Sequence, residues 1–436
     1  MSVELKETTK TAPDDIPNIS ETYFGHIRHT NGEEQFKLDA EFLASYAKKK
    51  PDFGFNGLGE FVFYRTYSRL KPDGKKESFL DTLRRVVEGC YEIQRRHCSK
   101  IHIPWTSDKA QLSAQEMFVR MWEFKFLPPG RGLWMMGTEF MWERGSAALN
   151  NCAFVSTDDQ IEADPAEPFC FLMDMSMLGV GVGFDTKGAG KIRIEQPTDE
   201  KLRYTIHDSR EGWVDSLRVL IWSYTKKSKI GSIEFDYDQI RKPGSDIKGF
   251  GGHASGPGIL LELHELVREH LDQKIGQTLS SVDITDLMNY IGRCVVAGNV
   301  RRTAEIAFGE PDDKEYCSMK NALESLVESD YNKFYEVTGK LYGESITEAT
   351  LEHFKTNGEL TIPEVRLSPA IKTWNALNHH RWASNNSIFA YVGMDYKAVG
   401  QQIASNGEPG LMWLDNMRDY GRMIDGKQPG IDGRVK

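Results

Sequence analysis

Sulfur is the first chemistry to weigh in this sequence. Cysteines stand at Cys90, Cys98, Cys152, Cys170, Cys294 and Cys317. None forms a C-x-x-C pair, and their spacing matches no zinc ribbon. Scattered thiols in a chain of 436 residues read as reduced and cytoplasmic. Cys152 lies in the apolar run LNNCAFVS, Leu149–Ser156, which reads as a buried strand. By burial statistics alone that thiol belongs to the core rather than to redox chemistry.

Glycine supplies the second kind of chemistry. Gly179-Val180-Gly181-Val182-Gly183 lets backbone approach a ligand, because glycine has no Cβ. The same run suits a tight turn from helix to strand, and it lacks the strand-then-helix setting of a dinucleotide fingerprint. Gly298-Asn299-Val300-Arg301-Arg302 joins a helix end to a strand. Its paired arginines suit a phosphate or a base edge, or a solvated surface. The glycine-dense stretch Gly249–Gly258 offers its amides as an anion nest or forms a flexible crossing. His253 has no ligand partner at metal spacing, so no metal site is expected. No Ser-His-Asp order, paired-carboxylate motif or Walker loop stands out. The residues outline a nucleotide-scale pocket without a complete catalytic set.

Several elements must position these groups. Residues 1–37 are polar, contain Pro13 and Pro17, and read as a loose arm. Residues 38–127 read as a helical domain. Leu80, Leu83, Val87, Cys90 and Ile93 recur at helical spacing, and Ser113 with Glu116 reads as a capping box opening a helix through Trp122. At Pro128-Pro129-Gly130-Arg131-Gly132 the composition shifts to short apolar runs between glycine-rich turns, as in α/β architecture. Ile284, Leu287, Ile291, Cys294 and Val295 mark a helix ending at Gly298, and Thr303–Phe308 reads as a strand. Residues 321–373 are charged and helical in tone, and read as an insertion.

The whole-chain balance excludes several classes. Lys+Arg is 54 and Asp+Glu is 64, so the formal charge is 54 − 64 = −10. Overall charge therefore gives no attraction to duplex DNA, and no direct nucleic-acid partner is expected. Hydrophobic residues are 39%, enough for a real core, so wholesale disorder is excluded. No run of about 18 apolar residues exists, so no membrane span is expected. MSVELKETTK has no apolar core behind its charges and is not a secretory signal.

Taken together, GEFVFYRTYSRLKPDGKKESFLDTLRRVVEG, LPPGRGLWMMGT, ALNNCAFV, GVGVGF, DSREGWVDSL, GFGGHASGP, VVAGNVRRTAEIAFG, HHRWASNNS, NGEPG, DYGR and GIDGRV resemble one family. They stand in the order found in adenosylcobalamin-dependent, monomer-type (class II) ribonucleoside-triphosphate reductases, from about residue 38 onward. That resemblance implies a ten-stranded α/β barrel of two five-stranded halves behind a helical region. Residues 128–436 would form the first half.

It also implies radical chemistry. Homolysis of the cobalt–carbon bond of adenosylcobalamin yields a thiyl radical on a finger loop. The thiyl takes the ribose 3′-hydrogen, the 2′-hydroxyl leaves as water, and two further cysteines become a disulfide. A closed barrel keeps the radical from solvent. By resemblance, Cys152 is the first reductant cysteine. Asn151 lies in the substrate floor, Gly181 and Gly183 approach the ribose, and Gly130 and Arg131 border substrate. Gly298, Asn299, Val300 and Arg302 belong to the specificity loop, with Arg301 as its substrate contact.

One departure qualifies the resemblance. The family's N-P-C-x-E type finger-loop motif, expected just after GIDGRVK, has no counterpart before Lys436. A split or intein-interrupted enzyme is expected, inactive until joined to its C-terminal half. Its other partners would be nucleoside triphosphate substrate, dNTP effector and a thioredoxin-like reductant. The stretch from Phe184 to Trp213 reads as short for the insertion that replaces a dimer contact in monomer-type members. Two other readings stay open: a non-catalytic nucleotide-binding regulatory fragment, and the large subunit of a diiron-dependent reductase.

Overall fold

The computed structural model describes residues 10–11, 35–158, 163–225, 230–245, 253–297, 303–320 and 378–420. The expectations for residues 298–302, for 321–373 and for residues 249–252 of the glycine-dense stretch lie outside them.

Lys10–Thr11 forms strand β1. Four helices follow: α1 (Ala40–Ala44), α2 (Leu58–Val62), α3 (Phe79–Lys100) and α4 (Ser107–Trp122). Ser78 opens α3 with a capping box shared with Asp81, satisfying amides that the first turn leaves unpaired. Leu83, Val86 and Val87 of α3 meet Ala114, Phe118 and Met121 of α4 in one buried cluster. Phe36, from the segment expected as a loose arm, stacks on Tyr91 with ring centroids 5.3 Å apart.

The predicted cap at Ser113 is corrected: α4 starts at Ser107, so Ser113 is mid-helix. Its hydroxyl is hydrogen-bonded to the Tyr91 hydroxyl at 2.5 Å, and Glu116 pairs with Arg120 one turn on. Both side chains have tertiary or helical partners, which a local motif does not reveal.

Next come α5 (Gly130–Met135), α6 (Glu139–Arg144), β2 (Cys152–Val155), α7 (Glu167–Met177) and β3 (Gly181–Asp185). They lead to β4 (Thr198–Thr205), α8 (Arg210–Ser223), β5 (Gly231–Asp236), α9 (Gly258–Gln273) and α10 (Ser281–Ala297). The described chain ends with β6 (Glu305–Gly309), α11 (Lys314–Ser318), β7 (Ser384–Ala390), α12 (Lys397–Asn406), β8 (Gly410–Trp413) and α13 (Leu414–Tyr420).

The architecture is mixed α/β, as the sequence predicts. Five strands form one sheet in the order β2-β3-β6-β7-β8, and every neighbouring pair is parallel. Parallel neighbours need long crossovers, and helices such as α7 and α12 provide them. A second sheet, β1-β4-β5, is also parallel and was not foreseen.

Side chains alternate along each strand, so the main sheet has two distinct faces. Val182, Phe184, Ala307 and Ile388 point into a core shared with α7 and α10. The opposite face carries Cys152, Phe154, Gly183, Ile306, Phe308 and Asn385, placed there by register. Rings run across it: Phe154 to Phe308 at 5.9 Å and Phe308 to Phe389 at 5.8 Å.

β7 is anchored at its entry. His380 Nε2 and Arg381 both meet the Asp286 carboxylate of α10 at 2.8 Å. Burial pushes that carboxyl up, but hydrogen bonds from Arg381 and His380 prevail and hold it down at about 2.

Candidate active site

Cys152 opens β2 and is exposed, not buried as its apolar run predicts. The physical reason is position in the sheet. Among the described residues β2 has only β3 as a neighbour, so local hydrophobicity does not translate into burial. Phe154, two residues on along the same face, is 51% exposed.

The glycine run meets Cys152 directly. Cys152 and Gly181 are paired across the two strands, and the Gly181 amide donates to the Asn151 carbonyl at 2.8 Å. Asn151 itself is exposed beside the thiol. The glycines differ in why they are glycine. Gly179 has φ +71°, a backbone state that other residues resist. A Cβ on Gly183 would sit 2.9 Å from the Phe154 ring, so that position makes room for Phe154. A Cβ on Gly181 would stand 3.6 Å from the Ala304 and Asn151 carbonyl oxygens, an ordinary contact. Packing within the described residues does not require glycine at 181.

Gly130 and Arg131 begin α5. A Cβ on Gly130 would come 2.8 Å from the Tyr67 ring, so Gly130 is set by packing. The half-buried Arg131 guanidinium donates to the carbonyls of Leu178 (3.0 Å), Ala148 (3.5 Å) and Gly179. Burial lowers its pKa, and the nearby Cys152 sulfur works the other way. The structure thus brings Cys152, Asn151, Gly181, Gly183, Gly130 and Arg131 into one neighbourhood. Gly298, Asn299, Val300, Arg301 and Arg302 lie outside the described residues. Thr303, just after them, donates its hydroxyl to the Val180 carbonyl at 2.8 Å.

Two features escape the sequence reading. Glu305 of β6 is 3% exposed, and among the described residues neither of its carboxylate oxygens has a hydrogen-bond partner. Burial pushes its pKa well up. Gly292 of α10 makes the space: a Cβ there would overlap a Glu305 carboxylate oxygen. The signal was an acid inside the apolar run TAEIAF. The second is an ionic network between α7 and α8. Arg210 meets Asp174 at 2.7 Å, and Arg218, 1% exposed at its side chain, pairs with Asp164 and with Glu167 at 2.9 Å. Burial raises the Asp174 carboxyl to about 6 despite Arg210.

Comparisons with known proteins bear on this geometry. Residues 38–138 match the ribonucleotide reductase alpha domain, and residues 185–271 match the insertion domain of B12-dependent ribonucleotide reductases. The adenosylcobalamin-dependent ribonucleoside-triphosphate reductase of Euglena gracilis is 44% identical over 406 residues, covering 92% of this chain and 48% of that protein. The enzyme of the same name from Lactobacillus leichmannii is 31% identical, covering 92% of this chain and 54% of that one. A crystal structure of a B12-dependent (class II) ribonucleotide reductase superposes with a TM-score of 0.69 at 29% identity, covering 92% of this chain and 55% of the other.

The chain is homologous to adenosylcobalamin-dependent ribonucleoside-triphosphate reductases. It spans about half the length of the curated relatives it matches. The insertion-domain match corrects the expectation of a reduced insertion: β4, α8, β5 and most of α9 fall within it. Among the described residues, no helix of these reductase-like elements is long and apolar enough to cross a membrane.

Proposed function

We propose that this chain supplies one half of the barrel of an adenosylcobalamin-dependent ribonucleoside-triphosphate reductase. The other half of the relatives' length, on the same or another polypeptide, completes it. The observation that carries this reading is an exposed sulfur at the start of an edge strand, at the end of a parallel sheet's face that the described residues leave open. Parallel sheets are ordinarily covered on both faces. A second half-barrel would cover Phe154 and enclose Cys152.

In this reading Cys152 is one of two reductant thiols. Each thiol loses a hydrogen atom, the sulfurs join as a disulfide, and the 2′-hydroxyl leaves as water. Nucleoside triphosphate and two thiols thus give deoxynucleoside triphosphate, disulfide and water, and a thioredoxin-like reductant restores the thiols by exchange. Asn151 and Gly181 form the floor beneath the ribose. Gly298–Arg302 serve as the specificity loop that answers a dNTP effector, with Arg301 toward substrate.

Adenosylcobalamin supplies the carbon–cobalt bond whose homolysis starts the radical chemistry. Of the six cysteines only Cys152 stands on the open face; Cys90 and Cys98 lie on α3, Cys170 on α7, Cys294 on α10 and Cys317 on α11. In this reading the thiol that carries the radical would come from the remaining half of the relatives' length, facing Cys152 across the barrel.

The test is reconstitution. The chain is mixed with a segment carrying the remaining half of a relative, cobalamin cofactor and a dithiol reductant, and dNTP formation is measured. The chain alone is inactive, the mixture is active, and Cys152→Ser in the mixture abolishes multiple turnover while the two pieces still associate. Nucleotide binding without association would favour a regulatory fragment instead. Dependence on a separate radical-generating subunit would point to a diiron-type enzyme.

A further inference from the structure

We propose that Arg131 is a positioning residue that holds the Cys152 strand and the Gly181 turn in register, and that it does not contact substrate. This rests on the reading of Cys152 given above.

The starting point is the C-terminus of α7, where the last carbonyls of a helix lack partners within it. The Val180 amide donates to the Met175 carbonyl and the Gly179 amide to that of Ser176, at 3.1 and 2.7 Å. With Gly179 at φ +71°, this is a Schellman ending. It satisfies two carbonyls and leaves those of Leu178, Gly179 and Val180 pointing out of the turn. Each of these must find a donor if it is buried. Thr303 supplies one to Val180, and the Arg131 fork supplies those to Leu178 and Gly179.

The same guanidinium reaches the carbonyl of Ala148, in the short 3-10 turn 146–149 that leads into Cys152. One planar group therefore ties the chain just before Cys152 to the chain just before Gly181. The two residues it brackets are cross-strand partners. Its cation also sits where a helix C-terminus concentrates partial negative charge. Three carbonyls occupy donors of a rigid fork, so its hydrogen-bonding capacity faces the protein rather than the open side of the sheet. Lysine carries the charge but not the fork, and cannot span these carbonyls.

The experiment compares Arg131→Gln, Arg131→Lys and the parent chain by residue-resolved amide hydrogen exchange. Exchange at Asn150, Gly179, Val180 and Gly181 rises about tenfold or more in Arg131→Gln, while amides of α3 such as Val87 stay unchanged. Arg131→Lys gives the same pattern at smaller amplitude, and serves if the glutamine variant does not fold. No local rise, or an equal rise everywhere, overturns the proposal.

In the reconstituted enzyme, Arg131→Lys lowers kcat about tenfold while the substrate KM stays within about twofold. A raised KM at unchanged kcat would mean substrate contact and would overturn the proposal. The exchange arm needs no turnover. If it behaves as stated and the parent mixture makes no dNTP, the clamp stands and the proposed function fails.

Discussion

The two faces of the five-stranded sheet differ in kind. On the covered face, Val182, Phe184, Ala307 and Ile388 are at most 1% exposed and lock against α7 and α10. On the open face, Cys152, Phe154 and Asn385 reach solvent at the strand starts, while Phe308 and Phe389 close the far end. The same backbone hydrogen bonds serve both faces, so the difference comes from what packs above each. One face makes the chain stable, and the other leaves the Cys152 thiol accessible. Under the proposed function, that separation would let Cys152 and Gly181 serve the chemistry without emptying the core.

The largest stability effect belongs to the covered face. Phe184 is fully buried, and Phe184→Ala removes a ring that its neighbours cannot replace. The expected loss is about 3–5 kcal/mol, read from the urea midpoint and slope of the isolated chain. A loss below about 1 kcal/mol would show that this face is not the core.

Glu305 sharpens the comparison, because it is a charged residue type on the covered face. Its ordinary value is 4.5, and burial holds the folded-state acid well above that. Above pH 4.5 the unfolded chain releases a proton that the folded chain keeps. Folding then takes up a proton, so this group's contribution to stability falls as pH rises, until the folded acid itself ionises. Glu305→Gln has no such proton. Urea midpoints at about pH 5 and about pH 8 should show a flatter profile for the variant than for the parent chain. Identical slopes would mean that Glu305 is ionised and paired in the fold.

Much of this arrangement is legible in the sequence. The α10 face from Ile284 to Val295 and the strand at Thr303–Phe308 follow from periodicity, because both are buried along their length. The neighbourhood of Cys152 and the glycine run came from the resemblance of ordered motifs, since no local pattern joins residues 152 and 181. Exposure of Cys152 was not legible: an apolar run looks the same in a central strand and at an edge. Nor was the β1-β4-β5 sheet, whose β4 is TDEKLRYT, mostly polar and exposed. The role of Arg131 needed coordinates, because its partners are backbone carbonyls and carry no side-chain signature.

The smallest expected effect is the most direct test of the open face. Phe154 and Phe184 are both phenylalanines on neighbouring strands, and they point to opposite sides of one sheet. Phe154 keeps about half its surface in water, so truncation removes less buried area, and Gly183 beneath it leaves a shallow gap that solvent can fill. Phe154→Ala should cost the isolated chain about 1 kcal/mol or less. The same substitution should weaken association with the second half-barrel in the reconstitution, since that is where the ring would gain cover. If Phe154→Ala instead destabilises the isolated chain as much as Phe184→Ala, the ring is already covered, and the distinction between the two faces fails.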